Sequence, residues 1–309
     1  MKNNILVLSI GGKVPLVKAV KSAAIRFELN VIGTDMSDKA IASYFVDSFE
    51  LLPKIDNLDC QYLISFCKQK NIGYIIPTRD ADVVYLAKYK KSLNEEGINV
   101  FCCEERQALL CMDKLSICQS YKYFNFINTS ENIDDIDSQR YVVKERFGAG
   151  SNNIILNVEY NYAIKCSKNI SHPIFQPFVE GQEYSVDAYV NKNGKAIAVI
   201  CRSRDLVVNG ESKITTYKKV PVLEEKIKNI LETINIYGHS VTQVIENNGE
   251  YFIVEINPRF GGASTLSLAM GMDSFYWFLC ESINKNISFK LNEKKLRQVR
   301  YMEDLYVEC

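Results

Sequence analysis

Apolar positions in the first third of the chain follow two alternating rhythms. Residues 5–10 are a short apolar run of the kind a doubly buried strand shows, and Gly11-Gly12 turns it into a helix-period stretch over 15–29. A second apolar run over 31–35 ends on Asp35. The pattern then predicts a helix over 58–71, a strand over 74–77, a helix over 80–97 and a strand over 99–102. Strands alternating with helices predict a parallel sheet with helical crossovers. Residues 104–125 read as a helix–turn–helix-like bridge, and 125–139, rich in Asn, Asp and Ser, as a linker. From Tyr141 onward the pattern changes to strands with short turns. The clearest unit there is a β-hairpin, two apolar runs flanking Asn247-Asn248-Gly249.

On the second strand of that hairpin, alternation puts Glu255 and Asn257 on one face and Val254 and Ile256 on the other. Gln243 on the first strand can lie across from them, and Arg259 follows closely. An acid, two amides and an arginine form a hard-oxygen site with a cation beside it. Mg²⁺ favours few carboxylates plus phosphate oxygens and water, and arginine suits phosphate through two parallel hydrogen bonds. An ordinary hairpin with a solvated polar face carries the same Glu-x-Asn spacing, so that spacing by itself decides nothing.

Composition narrows the classes. The 309 residues allow two or three packed lobes, 47% are apolar, and Lys+Arg and Asp+Glu both number 37, giving zero formal charge. That balance points away from nucleic acid or an anionic membrane as the main partner. Ten cysteines without a Cys-x-x-Cys pair, and only two histidines, exclude metal-finger spacing. Free thiols and a first apolar run too short for a secretory signal point to the cytoplasm. His172 and His239 show no partner pattern and read as structural. Gly11-Gly12 with Asp35 lacks the third glycine of a dinucleotide fingerprint, and no Gly-x-x-x-x-Gly-Lys-[Ser/Thr] P-loop occurs.

Two further segments carry chemistry. Lys144 sits on a strand over 141–146, just before a glycine-rich loop over 147–153 that contains Gly148, Gly150 and Ser151. Glycines let backbone N–H groups approach phosphate oxygens, and a lysine supplies a point charge, which Arg146 can share. A hairpin turn with a surface lysine would look the same. Downstream, Arg202 and Arg204 end an apolar strand, where they suit an acyl-phosphate or an acidic acceptor, and suit solvent equally well.

The full string Glu255-Ile256-Asn257-Pro258-Arg259, with its Gly261-Gly262-Ala263-Ser264 exit, resembles the metal-binding strand of the ATP-grasp superfamily, most closely the carbamoyl-phosphate-synthase large-chain-like branch. The resemblance covers essentially the whole chain in the family's order. It implies an α/β and α+β fold: a Rossmann-like N-terminal domain (residues 1–105) followed by a two-lobed ATP-grasp fold. The central lobe (106–180) would carry the phosphate loop and the C-terminal lobe (181–309) the metal site. It further implies that Lys114, Lys144, Gly148 and Ser151 meet phosphates, that Gln176, Phe178, Val179 and Glu180 frame adenine, and that Glu183 holds the ribose. Glu255, Asn257 and Gln243 would hold Mg²⁺, with Mn²⁺ as a substitute, and Arg259 with Lys144 would be catalytic. Arg79 and Asp80 follow a strand where the family binds substrate, and a solvated pair capping the next helix is an equal reading.

The implied activity is an ATP-dependent ligase joining a small-molecule carboxylate to an amine through an acyl-phosphate. Neither nucleic acid nor membrane is implied as a partner, and a homodimer is compatible with the resemblance. Carbamoyl phosphate synthesis itself fits the resemblance poorly, because that large chain contains two such units and extra domains and this chain shows one. A phosphotransferase on the same fold is the alternative. A catalytically silent nucleotide binder is a third reading, against which the joint presence of Lys144, Glu255, Asn257 and Arg259 argues.

Overall fold

The structure, a computed structural model, describes residues 3–148 and 153–308. The first part is β1 (Asn4–Val7), α1 (Val14–Ile25), β2 (Asn30–Asp35), β3 (Ser48–Leu51), α2 (Cys60–Gln69), β4 (Ile72–Ile76), α3 (Asp80–Glu95) and β5 (Asn99–Val100). The strands form a parallel sheet in the order β3-β2-β1-β4-β5. Period-two burial explains why β1 reads as an unbroken apolar run: Ile5 and Val7 enter one core with Leu16, Val17 and Val20 of α1, while Leu6 and Leu8 enter another with Leu63 and Leu86. The edge strand β3 escapes the sequence pattern because it is four residues long and only half-buried at its centre. Asp35 is occupied locally, accepting the Gly11 N–H at 2.8 Å.

A bridge of α4 (Glu105–Met112) and α5 (Lys114–Ser120) leads to a small antiparallel sheet of β6 (Tyr141–Glu145), β7 (Ile155–Val158) and β8 (Pro173–Pro177), ordered β7-β6-β8, with α6 (Tyr160–Ser167) against it. Asp113 caps α5 by accepting the N–H groups of Leu115 and Ser116 at 3.1 and 3.0 Å. Residues 125–139 are not the free linker their polar composition suggests. Ile133 and Ile136 are buried in the small lobe's core, and the Ile127 N–H donates to the Ile253 carbonyl at 2.9 Å.

The C-terminal sheet has six strands: β9 (Gln182–Val190), β10 (Ala196–Val208), β11 (Glu211–Tyr217), β12 (Gly238–Asn247), β13 (Glu250–Asn257) and β14 (Arg297–Val299), ordered β13-β12-β9-β10-β11-β14. Val186, Ala188 and Val190 bury one face under α7 (Pro221–Ile234), whose Leu223, Ile227, Ile230, Leu231 and Ile234 recur at helical spacing. The opposite face is polar near the small lobe and apolar farther along, where Tyr189 packs with α9 (Ser274–Ser282) behind the shorter α8 (Thr265–Ala269). Helices α6 to α9 correct the strand-only reading of the chain after Tyr141.

Candidate active site

Strand register assembles the polar face. Glu255 pairs with Gln243, Gln243 with Ser185, and Ser185 with Arg202, forming one row across four strands. The next row is Asn257, Val241, Asp187 and Ile200. The hairpin turn is as read: Asn248 and Gly249 both take positive φ, 51° and 84°, as a two-residue type I′ turn requires. The alternation along β13 is not as read, because the register slips between Gln243 and Val244. Val254 is the extra residue of a bulge. Ile253 and Ile256 therefore both enter the core, while Val254 turns to the cavity wall with Glu255 and Asn257. Asn257 Nδ2 donates to Glu255 Oε1 at 2.9 Å, so the two share a face.

Lys144 projects from β6 onto the same cavity, which Lys114, Gly148, Gln243 and Asp80 also line. Only 4% of Lys144 is exposed. Burial pulls its ammonium down to about 8, against the opposing pull of Glu255. For Glu255 burial pushes the other way, upward, but Lys144 and Lys114 outweigh it and hold the carboxyl below its usual range. Lys114 Nζ donates to the Gly148 carbonyl. Arg146 does not share the phosphate role: Asp113 takes Nε and Nη2 at 2.7 and 2.6 Å, and Glu131 takes Nη1 at 2.9 Å. That clamp fixes the start of α5, and with it Lys114, beside the end of β6. Ser151 lies outside the described residues.

Arg259 meets neither solvent nor the metal strand alone. Asp80, the first residue of α3, accepts from Nη2 at 2.9 Å and lies 2.8 Å from Nε as an ion pair, and Asn257 Oδ1 accepts from Nη2 at 3.3 Å. Neither reading of Asp80 from the sequence, substrate contact or solvated helix cap, anticipated this partner 179 residues away. Beyond Arg259, Gly261-Gly262 turns over a buried carboxylate. Asp187 accepts from Arg202 Nε at 2.6 Å and Ser267 Oγ at 2.9 Å, and also from Ser264 Oγ; His239 Nε2 lies 3.2 Å away. Burial pushes Asp187 up, and Arg202 and His239 overcome it, leaving the carboxyl far below its usual range. Ser264 Oγ in turn accepts the Gly261 N–H at 3.0 Å. On its other ring nitrogen His239 meets Ser274 Oγ at 2.7 Å, and the sequence pattern reveals neither partner.

Family comparison agrees with this geometry. Residues 170–305 match the family model described as ATP-grasp in the biosynthetic pathway with Ter operon. Residues 5–101 match the model of a PylC-like N-terminal domain.

The chain carries an ATP-grasp domain over residues 170–305.

A curated relative, the tyramine–L-glutamate ligase of Methanocaldococcus jannaschii, is 24% identical over 208 residues, 64% of this chain and 59% of that protein's length. Among solved structures, the biotin carboxylase domain of Hydrogenobacter thermophilus 2-oxoglutarate carboxylase, determined with MgADP and bicarbonate, superposes with a TM-score of 0.76 at 12% identity over 94% of this chain and 71% of that one. The Staphylococcus aureus N5-carboxyaminoimidazole synthetase bound to ADP gives a TM-score of 0.74 at 16% identity over 94% and 80%. At such identities the likeness is one of fold.

Within the ATP-grasp cleft, the structure brings Lys114, Lys144, Gly148, Gln243, Glu255 and Asn257 together on one cavity. The expected adenine-side residues are not in its lining: Gln176 is on β8, Phe178, Val179 and Glu180 lie between β8 and β9, and Glu183 is on β9. Gln176 shares the sheet face of Lys144, but its Nε2 donates to Thr129 Oγ1 at 2.7 Å. Phe178 and Val179 are half-buried, and the Glu180 carbonyl accepts from Asn247 Nδ2 at 2.7 Å. Glu183 is exposed and forms an ion pair with Arg204, Nε to carboxylate at 2.9 Å. One carboxylate with two amides is a donor set that fits Mg²⁺ when phosphate oxygens complete it. Among the described residues no cluster of three His, Cys, Asp or Glu competes for the metal, and no helix is long and apolar enough to cross a membrane. Sequence reasoning missed the apolar wall made by Val83, Ala108, Cys111 and Met112, which carries no motif.

Proposed function

We propose that this chain is an ATP-dependent carboxylate–amine ligase that works through an acyl-phosphate and releases ADP and phosphate. One observation carries the reading: a buried lysine from the small sheet and a carboxylate–amide pair from the large sheet line one cavity together with Asp80, the partner of Arg259. Lys144 and Lys114 would meet the nucleotide phosphates, and the chain from Gly148 would cover them. Phe178 and Val179 would frame adenine with Gln176 and Glu180, and Glu183 would hold the ribose. Glu255, Asn257 and Gln243 would hold Mg²⁺, which supplies charge neutralisation at the phosphate oxygens.

In the first step a substrate carboxylate oxygen bonds to the γ-phosphorus as the bond to ADP breaks. The amine then attacks the acyl carbon, and phosphate leaves with the electron pair while the nitrogen sheds its proton. The protein's part is positioning and electrostatics. Because Asp80 holds Nη2 of Arg259 and pairs with Nε, the remaining nitrogen of the fork is the one offered to the transferring group. The three sheets support a division into lobes at 1–105, 106–180 and 181–309. Nine free cysteines among the described residues support a reducing, cytoplasmic setting.

An ADP-release screen of carboxylate and amine pairs in the presence of hydroxylamine tests the reading. A trapped hydroxamate is the expected result. A stable phosphorylated product that forms without an amine would replace the ligase with a phosphotransferase.

A further inference from the structure

Two guanidinium groups that the nucleotide site does not use approach the glycine pair beyond Arg259. Arg202 is 3% exposed, its Nε is held by Asp187 at 2.6 Å, and its Nη1 is buried without a hydrogen-bond partner. Asp187 has little left to offer it: Oδ2 already accepts from Arg202 Nε and Ser267, and Oδ1 from Ser264 with His239 alongside. A buried charged donor left unmade is costly, so an orphan of this kind requires an acceptor from elsewhere.

Arg300 comes from the other side. It follows β14, its N–H donates to the Lys213 carbonyl at 2.8 Å, and its Nη1 donates to Glu211 Oε2 at 3.1 Å. Its side chain keeps 22% exposure, so this end of the site is open. A Cβ on Gly261 would first meet Ser264 Oγ at 2.9 Å and Val241 at 3.0 Å, with Arg202 Nη2 behind them at 3.9 Å, and one on Gly262 would come within 3.2 Å of Arg300 Nη1. Neither glycine takes a positive φ, so backbone conformation does not demand glycine at either position. Gly262 keeps clear the space beside Arg300, while Gly261 allows the close packing on Ser264 and Val241 that sets the turn next to Arg202.

Arg204, the other cation expected here, is engaged elsewhere, by Glu183 at 2.9 Å and by the Gly210 carbonyl at 3.0 Å.

Resting on the ligase reading, we propose that Arg202 and Arg300, on either side of Gly261-Gly262, form a subsite for a second carboxylate that is not phosphorylated. One substrate of this protein is then an amino acid whose α-carboxylate stays free through the reaction. Asp187 and Glu211 already offset the two guanidinium charges, so the added ligand should carry no more than a single negative charge. A carboxylate has that charge and the planar geometry of an arginine fork. In the pairing row, Arg202 stands three strands from Glu255, about 14 Å by the usual strand spacing. The side chains and a small two-headed molecule can bridge that span.

The test is calorimetry on protein saturated with Mg²⁺ and a non-hydrolysable ATP analogue, titrated with the standard amino acids and with their decarboxylated amines. The expected result is at least one amino acid that binds about tenfold or more tighter than its amine, with Arg300→Gln erasing that preference and leaving analogue affinity intact. Arg202→Lys keeps a charge beside Asp187 yet removes the fork, and should erase the preference too. The subsite is overturned if no amino acid outbinds its amine, or if both variants bind the preferred one as the wild type does. The ligase reading fails separately, when a bound amino acid supports neither ADP release nor hydroxamate formation.

Discussion

Lys144 is held between two demands, burial in the apo cleft and charge for phosphate. Its pKa lies at about 8 in the fold, against 10.5 for an ordinary lysine. The sign for stability follows: the unfolded chain binds the proton more readily between those values, so this group's contribution grows as pH rises from about 8 and is lost as pH falls through it. Nucleotide affinity runs the opposite way. Phosphate favours the ammonium, so binding takes up a proton above pH 8 and weakens as pH climbs. Calorimetry at pH 8.5 in buffers of different ionisation enthalpy should detect that uptake, and Lys144→Met should abolish it. Glu255→Gln or Asn257→Ala should lower turnover by roughly 10²–10³ or more while the fold persists by circular dichroism. Asp80→Asn should lower kcat by about tenfold or more with little change in nucleotide affinity, because it loosens Arg259 rather than the phosphate cradle. Retained kcat in that variant would mean Arg259 is positioned without it. Lys144, Glu255, Asn257 and Arg259 were legible in the sequence because local strings carry them. Asp80 as their partner, Asp187 beneath them and Arg300 beside the glycines were not, since each contact joins distant segments through tertiary packing.

Among elements, β13 shows how one residue of register changes a site. Without the bulge at Val254, the strand could not send Ile253 and Ile256 into the core and still present Glu255 and Asn257 to the cleft. Periodicity cannot see a bulge, so the sequence reading had the hairpin and its turn but misplaced Val254. Helix α7 has a clean apolar stripe of period 3.6, yet it lies between strands whose period-two and turn signals dominate the sequence after Tyr141. The passage between the small and large sheets depends on Gly181, where a Cβ would overlap the Glu246 carbonyl oxygen. Gly181→Val should therefore cost about 1–3 kcal/mol by overpacking. Thermal unfolding would register it as a lowered Tm, and an unchanged Tm would show that the strands yield freely there.

Across the molecule, the parallel sheet and the six-stranded sheet share their packing. One core joins Leu6, Leu63 and Leu86 to Val186 and Leu231, and another joins Ile5 and Val17 to Phe275 and Phe278. The small sheet β7-β6-β8 shares neither core. Its own buried cluster is Ile133, Ile136, Tyr141, Val143, Ala163, Ile170 and Phe175. Cores this small give low local stability, so amide exchange without nucleotide should be fastest over β6 to β8 and slow sharply when Mg²⁺ and an ATP analogue are added. Uniform exchange across all three sheets would refute that ranking. A ligand bound between a weak lobe and a strong one contributes its binding energy to the weak lobe's folding. The empty protein should then melt in two steps and the saturated one in a single step. A protease that cuts only opened chains would in effect read the nucleotide supply, degrading this protein fastest where ATP is scarce.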